Sequence, residues 1–588
     1  MSEGESQGVN IALWCGLTAA GALLAGAVAL RVTGHKVGGM AEVPTAMMRS
    51  GWTTWALAGI LLTLVGVATA LVAAWLRRIL NPRTDGSGGS YRSMHRGAAV
   101  ARARTILAGS LPAGATVADD DLVRYMGHLA GTALYGQYED PETCYAVTRS
   151  GKTRLLVTRR VLEAPGAVLA TSTKVDGIAL TWYARREATG GRTWAFDPIG
   201  QALGPVPVRW NPVVGCEDFN VARERGRAFA MGATIRVGGG DTRWFVERGA
   251  QILSYFFHAA ALTDQDIDAV HRWVSRPEEA VEILRSVGSR TSRMMVSTLT
   301  DLMVEMADET ASGFKGTMQG ALEPIMIDTV LEALTPPRKE SFDAAAFLAS
   351  KDVLWAVSPE SEGAVASVTT MFVDHVVSAA RRMSDLLPGQ RLTPPLSVVL
   401  DEAANVAPLP DIDRVYSEGP GRGFSLSSFF QDEAQAAKRW DEDTAKTVFQ
   451  QSRAVYVLGG SKDAEWNGRI ADLSAEFEER RTSYTSGASG RSTAVHTERR
   501  HVLREADVAG LPYGTALLAP AGRPAVRVQL TDITEDPRWG RAVREGQSLY
   551  DEHVRRLQAA APTDRSQARE RLTGWMERRT TPQGEDAA

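Results

Sequence analysis

Two long uncharged stretches near the start of the chain interrupt an otherwise mixed pattern of apolar and polar positions. They cover residues 11–30 and 52–76, and neither contains Asp, Glu, Lys or Arg. About 20 helical residues cross a hydrocarbon core of about 30 Å. Trp52, Trp55 and Trp75 lie near the ends of the second stretch, where tryptophans commonly anchor a membrane helix. The pattern predicts two transmembrane helices within residues 1–80.

A cleaved signal peptide is the alternative for the first stretch. The residues before it include Glu3 and Glu5 but no basic residue, and a second full span follows, which argues against that alternative. Three basic residues lie between the stretches, whereas seven follow the second one: Arg77, Arg78, Arg83, Arg92, Arg96, Arg102 and Arg104. Because basic residues accumulate on the cytoplasmic side, we expect a two-pass protein of the cytoplasmic membrane with its body in the cytoplasm.

Strands and helices alternate after a Pro/Gly/Ser-rich linker at residues 81–97. Short apolar runs predict strands at residues 144–147, 167–171 and 193–196, and helical patterns cover residues 151–162 and 176–186. Strands that alternate with helices form parallel sheets through right-handed crossovers. The pattern therefore predicts an α/β domain with a parallel-rich sheet.

The period changes to that of helices between residues 213 and 338. Helices are predicted at residues 246–262, 264–273, 277–286 and 294–306, with few strand signals between them. In the first of these helices, Ile252, Tyr255, Phe256 and Ala259 form one apolar face. We interpret this region as an all-α insertion within the α/β domain.

Strand signals return after the helical region. They lie at residues 353–357, 396–400, 425–430 and 454–458, and a terminal hairpin is predicted at residues 515–519 and 525–530. The predicted domain order is a membrane anchor (1–80), a flexible linker (81–97), a nucleotide-binding α/β domain in two parts (98–212 and 339–532) around an all-α domain (213–338), and a charged, partly disordered tail (533–588). An amphipathic stretch at residues 546–557 lies within that tail.

Composition adds two restrictions. A chain of 588 residues is too long for a single hydrophobic core, and a net charge of −4 excludes a uniformly polybasic nucleic-acid binder. Contact with nucleic acid would have to come from local patches or a lined channel. The three cysteines, Cys15, Cys144 and Cys216, are too far apart in sequence to suggest a disulfide framework or a zinc site.

The segment AVTRSGKT at residues 146–153 follows a predicted strand and opens a predicted helix. This is the setting of a phosphate-binding loop, in which backbone N–H groups at a helix N-terminus surround the phosphates. The candidate nucleotide-binding residues are Thr148, Arg149, Ser150, Gly151, Lys152 and Thr153. Lys152 would reach the β and γ phosphates, and the Thr153 hydroxyl would be a ligand of Mg²⁺.

One position of this loop departs from the usual pattern, because its first glycine is Ala146. Alanine has little freedom at positive φ, so the sequence predicts a slightly altered loop there. A plain basic and polar helix start is the alternative for a short GKT string. The preceding strand, the following helix and an acidic motif downstream favour the phosphate-binding loop.

The acidic motif is SVVLDE at residues 397–402, where an apolar strand runs into Asp401 and Glu402. Ligands bind at the carboxyl edge of such parallel sheets, and we expect Lys152 and Asp401 to meet across adjacent strand ends. Asp401 would hold Mg²⁺, and Glu402 would polarise the attacking water. The alternative is that both carboxylates only stabilise the next helix N-terminus. Together with the phosphate-binding loop, the motif predicts an ATPase that uses ATP and Mg²⁺.

Two further residues are catalytic candidates. Gln431 follows the apolar run 425–430, beside the predicted acidic strand, where a glutamine can contact the γ-phosphate or place water; it could equally be a surface polar residue. Arg422 lies in a Gly-rich turn and is a candidate arginine finger for a neighbouring subunit's nucleotide. The same turn also fits an exposed loop arginine.

The two spans and three motifs, TRSGKT, LDEAANVAPLPDI and SFFQDEAQA, resemble the TraG/TraD-type coupling proteins of type IV secretion and conjugation. The likeness extends to about residue 532. It implies a RecA-like motor that assembles as a hexamer around a channel, and it implies that the helical insertion takes part in substrate choice. Five residues match their family motifs, namely Lys152, Thr153, Asp401, Glu402 and Gln431. Arg422 matches less well, because the family's arginine lies slightly earlier, where this chain has Pro420.

The leading hypothesis is therefore a membrane-anchored ATPase that translocates DNA during conjugation. Its expected partners are sequence-independent DNA with a bound relaxase, components of a type IV secretion channel, the lipid membrane and further copies of the chain. One alternative is a P-loop ATPase for protein secretion or DNA segregation. Another is a catalytically silent membrane scaffold, which Ala146 alone favours.

Overall fold

The computed structural model describes residues 23–64, 67, 91–109, 111, 117–200, 202, 205–233, 242–305, 308–358, 365–487 and 490–560. The chain forms two compact units, Met1–Gly86 and Ser87–Ala588.

The first unit contains helical residues 23–32 and 52–64 and a short helix, Val43–Met48, between them. A small apolar cluster joins these segments: Ala29, Leu30, Val43, Met47 and Ala58 are all buried. No helix built of described residues combines the length and the apolarity that a membrane crossing requires. The two expected spans extend beyond the described residues, so the two-span anchor stays a prediction.

The second unit is built on a large mixed sheet. The described residues contain fourteen strands: β1 (Val123–Leu129), β2 (Thr132–Gln137), β3 (Glu142–Tyr145), β4 (Val168–Ser172), β5 (Thr193–Phe196), β6 (Val206–Pro207), β7 (Val353–Val357), β8 (Leu396–Leu400), β9 (Phe424–Phe430), β10 (Ala454–Val457), β11 (Glu476–Gly487), β12 (Gly490–His501), β13 (Thr515–Pro520) and β14 (Val526–Gln529). Twelve of them form one sheet in the order β2-β1-β14-β13-β10-β3-β9-β8-β4-β7-β5-β6.

Every neighbouring pair from β10 to β6 is parallel, whereas β13, β14, β1 and β2 extend the sheet with antiparallel pairs. The central strands β4, β7, β8 and β9 are buried at every position. Strands that are buried along their whole length are typical of parallel sheets covered on both faces. The predicted α/β class with a parallel-rich sheet is confirmed, and β3 lies inside the sheet between β10 and β9.

Helices cover both faces and continue into the region between β6 and β7. The helices of the second unit are Arg96–Leu107, Asp119–Leu122, Thr158–Leu162, Asp176–Thr189, Phe219–Ala233, Thr242–Leu262, Ile267–Ser275, Pro277–Ser286, Arg293–Met303, Asp308–Leu322, Asp328–Leu334, Ala344–Leu348, Ala366–Leu386, Ala403–Val406, Ile412–Arg422, Glu433–Arg439, Glu442–Gln451, Ala464–Ala471, Glu505–Ala509 and Gly540–Ala560.

The region 213–338 contains only helices among its described residues, as expected for an all-α insertion. Its first helix, Phe219–Ala233, packs against Ala366–Leu386, which covers the sheet. The two helices are so close that a methyl group on Gly232 would overlap the backbone of Ser367. The insertion and the sheet therefore share one hydrophobic core.

Two hairpins differ from the predicted pattern. In β1–β2 the chain reverses at Ala130 and Gly131, which both have positive φ (49° and 81°), as two-residue hairpin turns require. The hairpin β11–β12 pairs from Glu476–His501 to Gly487–Gly490 as a separate sheet. Its strands are rich in charged residues, so they lack the apolar alternation by which strands are recognised.

Two domain boundaries need correction. The linker 81–97 is not flexible throughout, because Tyr91 and Met94 are buried and the Tyr91 hydroxyl donates to the carbonyl of Pro524. The α/β domain also does not end at residue 532. The helix Gly540–Ala560 packs on Asp176–Thr189, and its amphipathic pattern reflects that apolar contact. The predicted disorder beyond residue 560 lies outside the described residues.

Candidate nucleotide-binding site

The loop after β3 curls back on itself before the next helical segment. Its first amide, of Ala146, donates to the carbonyl of Phe430 at 2.9 Å, and the Ser150 amide donates to the carbonyl of Val147 at 3.2 Å. Arg149 (φ 66°) and Gly151 (φ 89°) adopt left-handed conformations. A π-helical turn, Thr153–Val157, follows and leads into Thr158–Leu162. The sequence therefore places backbone N–H groups at the N-terminus of a helical segment, as expected for phosphate binding.

Ala146 does not have a positive φ, and it is buried at 1% exposure. An alanine at this position therefore introduces no backbone strain, and the expected alteration of the loop does not arise from it. Arg149 is the non-glycine residue of the loop with a left-handed backbone. This conformation costs about 1 kcal/mol of conformational free energy. Such strain is often retained at functional sites.

Ala146→Gly is accordingly expected to leave the affinity for ATP nearly unchanged. Gly151→Ala is expected to lower it by at least about tenfold, because an alanine at φ 89° is strained and its methyl group would overlap the Tyr513 ring. Titration of both variants with a fluorescent ATP analogue measures the difference. Equal affinities of the two variants would contradict this account of the loop.

Lys152 contacts both carboxylates of the acidic motif. Its Nζ lies 3.0 Å from Asp401 Oδ1 and 3.3 Å from Glu402 Oε1, and all three side chains are at most 14% exposed. The expected meeting of Lys152 and Asp401 is observed, but their strands are not adjacent, because β9 separates β3 from β8. The chain segment after β3 leads on to β4, which lies beyond β9 and β8, and this crossing brings Lys152 to Asp401.

The charges of this cluster shift one another's protonation. Burial alone would lower the pKa of Lys152, but the carboxylates of Asp401 and Glu402 raise it above its ordinary value. Burial raises the pKa of Asp401 despite the opposing effect of Lys152. One ammonium group faces two carboxyl groups, so the cluster would be stabilised by a further positive charge beside Asp401 and Glu402.

The residues present fit a magnesium-bound triphosphate. Glu402 Oε2 and Ser150 Oγ are buried and have no hydrogen-bond partner in the part of the chain that the structure describes. Carboxylate and hydroxyl oxygens are the ligands that Mg²⁺ prefers, and Asp401 and Thr153 offer both types. Glu402 itself is left-handed (φ 53°), which turns the chain immediately after β8.

Gln431 follows β9, which is the neighbour of the acidic strand β8 as predicted. It borders a cleft of about 770 Å³ that is also lined by Ala146, Val147 and Thr148. The structure thus brings Gln431 beside the start of the loop. Its backbone amide donates to Gln435 Oε1 at 3.1 Å.

Arg422 is not brought into this chain's own site. Arg422 ends the helix Ile412–Arg422 and lies before the first residue of β9. Gln431 follows the last residue of β9, so it lies with the loop at the opposite, carboxyl edge of the sheet. Its guanidinium donates to Ser384 Oγ at 3.1 Å and pairs with Asp385. Its role as an arginine finger for another subunit's nucleotide stays a prediction.

A buried charge cluster beneath the loop was not recognised from the sequence. Glu142, on β3, accepts hydrogen bonds from Arg160 Nε at 2.5 Å and from Ser427 Oγ at 2.7 Å, and it lies 3.4 Å from Arg124. Burial would raise the pKa of Glu142, but the two guanidinium groups lower it below its ordinary value. Glu142 is a charged residue at the start of a buried strand, and this position was the one feature of the sequence that pointed to the cluster.

Residues 395–513 match a protein family model, TraG-D_C, described as the TraM recognition site of TraD and TraG. This segment of the chain is therefore similar to the TraG-D_C domain. This match confirms the resemblance to TraG/TraD-type coupling proteins. The TraG-D_C segment contains Asp401, Glu402, Arg422 and Gln431, whereas the loop with Lys152 lies outside it.

Solved structures of coupling proteins are similar to this chain. The bacterial conjugative coupling protein TrwBdeltaN70, in its unbound monoclinic form, matches with a TM-score of 0.50 at 18% identity, covering 70% of this chain and 90% of that one. The plasmid coupling protein TrwB with the ATP analogue ADPNP gives 0.47 at 16% identity, covering 68% and 87%. TrwB with ADP and Mg²⁺ gives 0.47 at 17%, covering 68% and 88%.

No curated protein matches the chain significantly. The first structural likeness shows that the mixed sheet with its parallel strands has the fold of TrwB. The TraG-D_C match includes Asp401 and Glu402, which are two of the three residues that meet at the sheet edge.

Proposed function

We propose that this chain is a membrane-anchored, ATP-driven motor that couples a DNA–relaxase substrate to a type IV secretion channel and drives conjugative DNA transfer. The observation that carries the proposal is the contact of Lys152 with both Asp401 and Glu402 beside a phosphate-binding loop. The TraG-D_C segment and the fold shared with TrwB support the conjugative role.

Each residue of the cluster has a distinct task in this proposal. The loop amides and Lys152 bind the β and γ phosphates, while Thr153 and Asp401 hold Mg²⁺. Mg²⁺, when bound, neutralises charge on the phosphate oxygens. Glu402 orients and polarises the attacking water, and Gln431 positions it from the neighbouring strand. TrwB itself has been solved in complex with ADPNP and in complex with ADP and Mg²⁺.

Anchoring in the cytoplasmic membrane is supported by the exposed apolar side chains of the first unit. Leu24, Ile60 and Leu64 are between 56% and 60% exposed on the described parts of its helices. A lipid surface would cover such side chains. The basic residues after the second stretch favour a body on the cytoplasmic side.

The decisive measurement is ATP hydrolysis by the purified full-length chain with and without single- and double-stranded DNA. We expect DNA to raise the rate and Lys152→Ala to lower it by at least about a hundredfold. The stimulation should fall steeply with salt and depend little on DNA sequence, because phosphate contacts release counterions.

Equal rates for the wild type and Lys152→Ala would refute the motor. If DNA did not change the rate of hydrolysis but a protein partner raised it, the result would favour a function in protein secretion over one in DNA transfer. Assembly into a hexamer is part of the proposal, and the mass of the particle in solution tests it separately.

A further inference from the structure

An aromatic ring rests on the phosphate-binding loop. Tyr513 lies against Gly151 so closely that a methyl group on the glycine would overlap the ring, with the Cδ2 atom 3.1 Å from its position. The side chain nevertheless remains 60% exposed. A large aromatic face is therefore open to solvent directly beside the loop.

Three polar residues fix the orientation of this ring. The Tyr513 hydroxyl donates to Asp532 Oδ2 at 2.5 Å, and Arg154 Nε lies 3.2 Å from the same oxygen. Arg154 also donates to Thr534 Oγ1 at 2.7 Å. Burial and the bond to Asp532 raise the pKa of Tyr513 to about 12, so the hydroxyl remains a donor at neutral pH.

The position along the loop tells which part of a nucleotide would meet the ring. The Lys152 side chain points to Asp401 and Glu402, which marks the γ-phosphate end. Tyr513 instead contacts Gly151, and it is linked to Arg154 through Asp532. At this end of the loop the backbone amides face the α and β phosphates. The nucleoside of a bound nucleotide would extend from the phosphates at that end of the loop.

We propose that the exposed ring of Tyr513 stacks on the base of the bound nucleotide, held in place by Asp532 and Arg154. The inference rests on the proposed ATPase function and adds a base-binding residue to it. Neither the phosphate-binding loop nor the acidic strand supplies an aromatic surface, whereas every nucleotide base offers a flat face for stacking.

The test compares two ligands on the full-length chain: Mg²⁺-ATP, which has a base, and Mg²⁺-tripolyphosphate, which has none. Tyr513→Ala is expected to lower the affinity for ATP by about tenfold and to leave the affinity for tripolyphosphate unchanged. Tyr513→Phe keeps the ring and should restore most of the ATP affinity. Calorimetric titration gives both dissociation constants.

Each other outcome overturns the inference. An equal loss for both ligands would mean that the ring only shapes the loop, and no loss for either would mean that the base lies elsewhere. If the wild type bound neither ligand, the proposed ATPase function itself would fail. The phosphate-only ligand thus separates the failure of the base contact from the failure of the nucleotide site.

Discussion

Glu402→Gln is expected to lower the rate of ATP hydrolysis by about a thousandfold while ATP still binds. Glutamine keeps the size of the side chain but cannot accept a proton from water. Lys152 retains its contact with Asp401 at 3.0 Å, so the phosphate-binding groups stay in place. Single-turnover hydrolysis together with equilibrium nucleotide binding measures the two effects independently.

Glu552→Gln is a suitable control, because it removes a half-exposed carboxylate on the helix Gly540–Ala560 that pairs with Arg556. Its turnover should equal that of the wild type. If Glu402→Gln supported DNA transfer and hydrolysis at normal rates, the catalytic assignment would be wrong. The chain would then fit a scaffold whose nucleotide site has no catalytic task.

The second large effect concerns stability. Glu142→Ala is expected to lower the free energy of unfolding of the α/β domain by about 3–5 kcal/mol, because it leaves the guanidinium groups of Arg124 and Arg160 buried without their carboxylate. Glu142→Gln, which retains an acceptor oxygen, should lose less. Urea unfolding followed by circular dichroism compares the two variants with the wild type.

The same residue gives this stability a direction with pH. The pKa of Glu142 in the folded protein lies below its ordinary value of 4.5, so its contribution is present above pH 4.5 and is lost as the pH falls through the folded value. The wild type should therefore lose its advantage over Glu142→Ala on acidification. An advantage that stayed constant from pH 7 to pH 3 would contradict a lowered pKa of Glu142 in the folded protein.

Much of the α/β domain could be predicted because its parallel strands are short apolar runs. The strands β5, β7 and β8 have the predicted bounds. The edge strands β1 and β2 were not predicted, because they mix polar and apolar residues. The strands of the separate sheet, β11 and β12, were not predicted because they carry many charges. The order of strands along the sheet depends on tertiary packing, and for that reason β9 was not expected between β3 and β8.

The chemistry of the site could be predicted from two short motifs. Lys152 lies in the phosphate-binding loop, and Asp401 and Glu402 end the acidic strand. The strain at Arg149 could not be assigned, because φ depends on how the loop closes over β9. Tyr513 was also missed. It lies 362 positions after Gly151 in the numbering, and only the folded chain brings the two residues together.

The helical insertion leaves and re-enters the sheet at neighbouring places. The strands β5 and β7 pair directly although the insertion separates them in sequence. Backbone hydrogen bonds from Trp210 to Ala333 and from Phe342 to Arg209 close its entry and exit. Chimeras that exchange this segment between related chains should thus preserve the hydrolytic unit, provided that the donor keeps a glycine where Gly232 crosses Ser367. Under the proposed function, such an exchange would change the choice of substrate and leave the residues of the nucleotide-binding site in place.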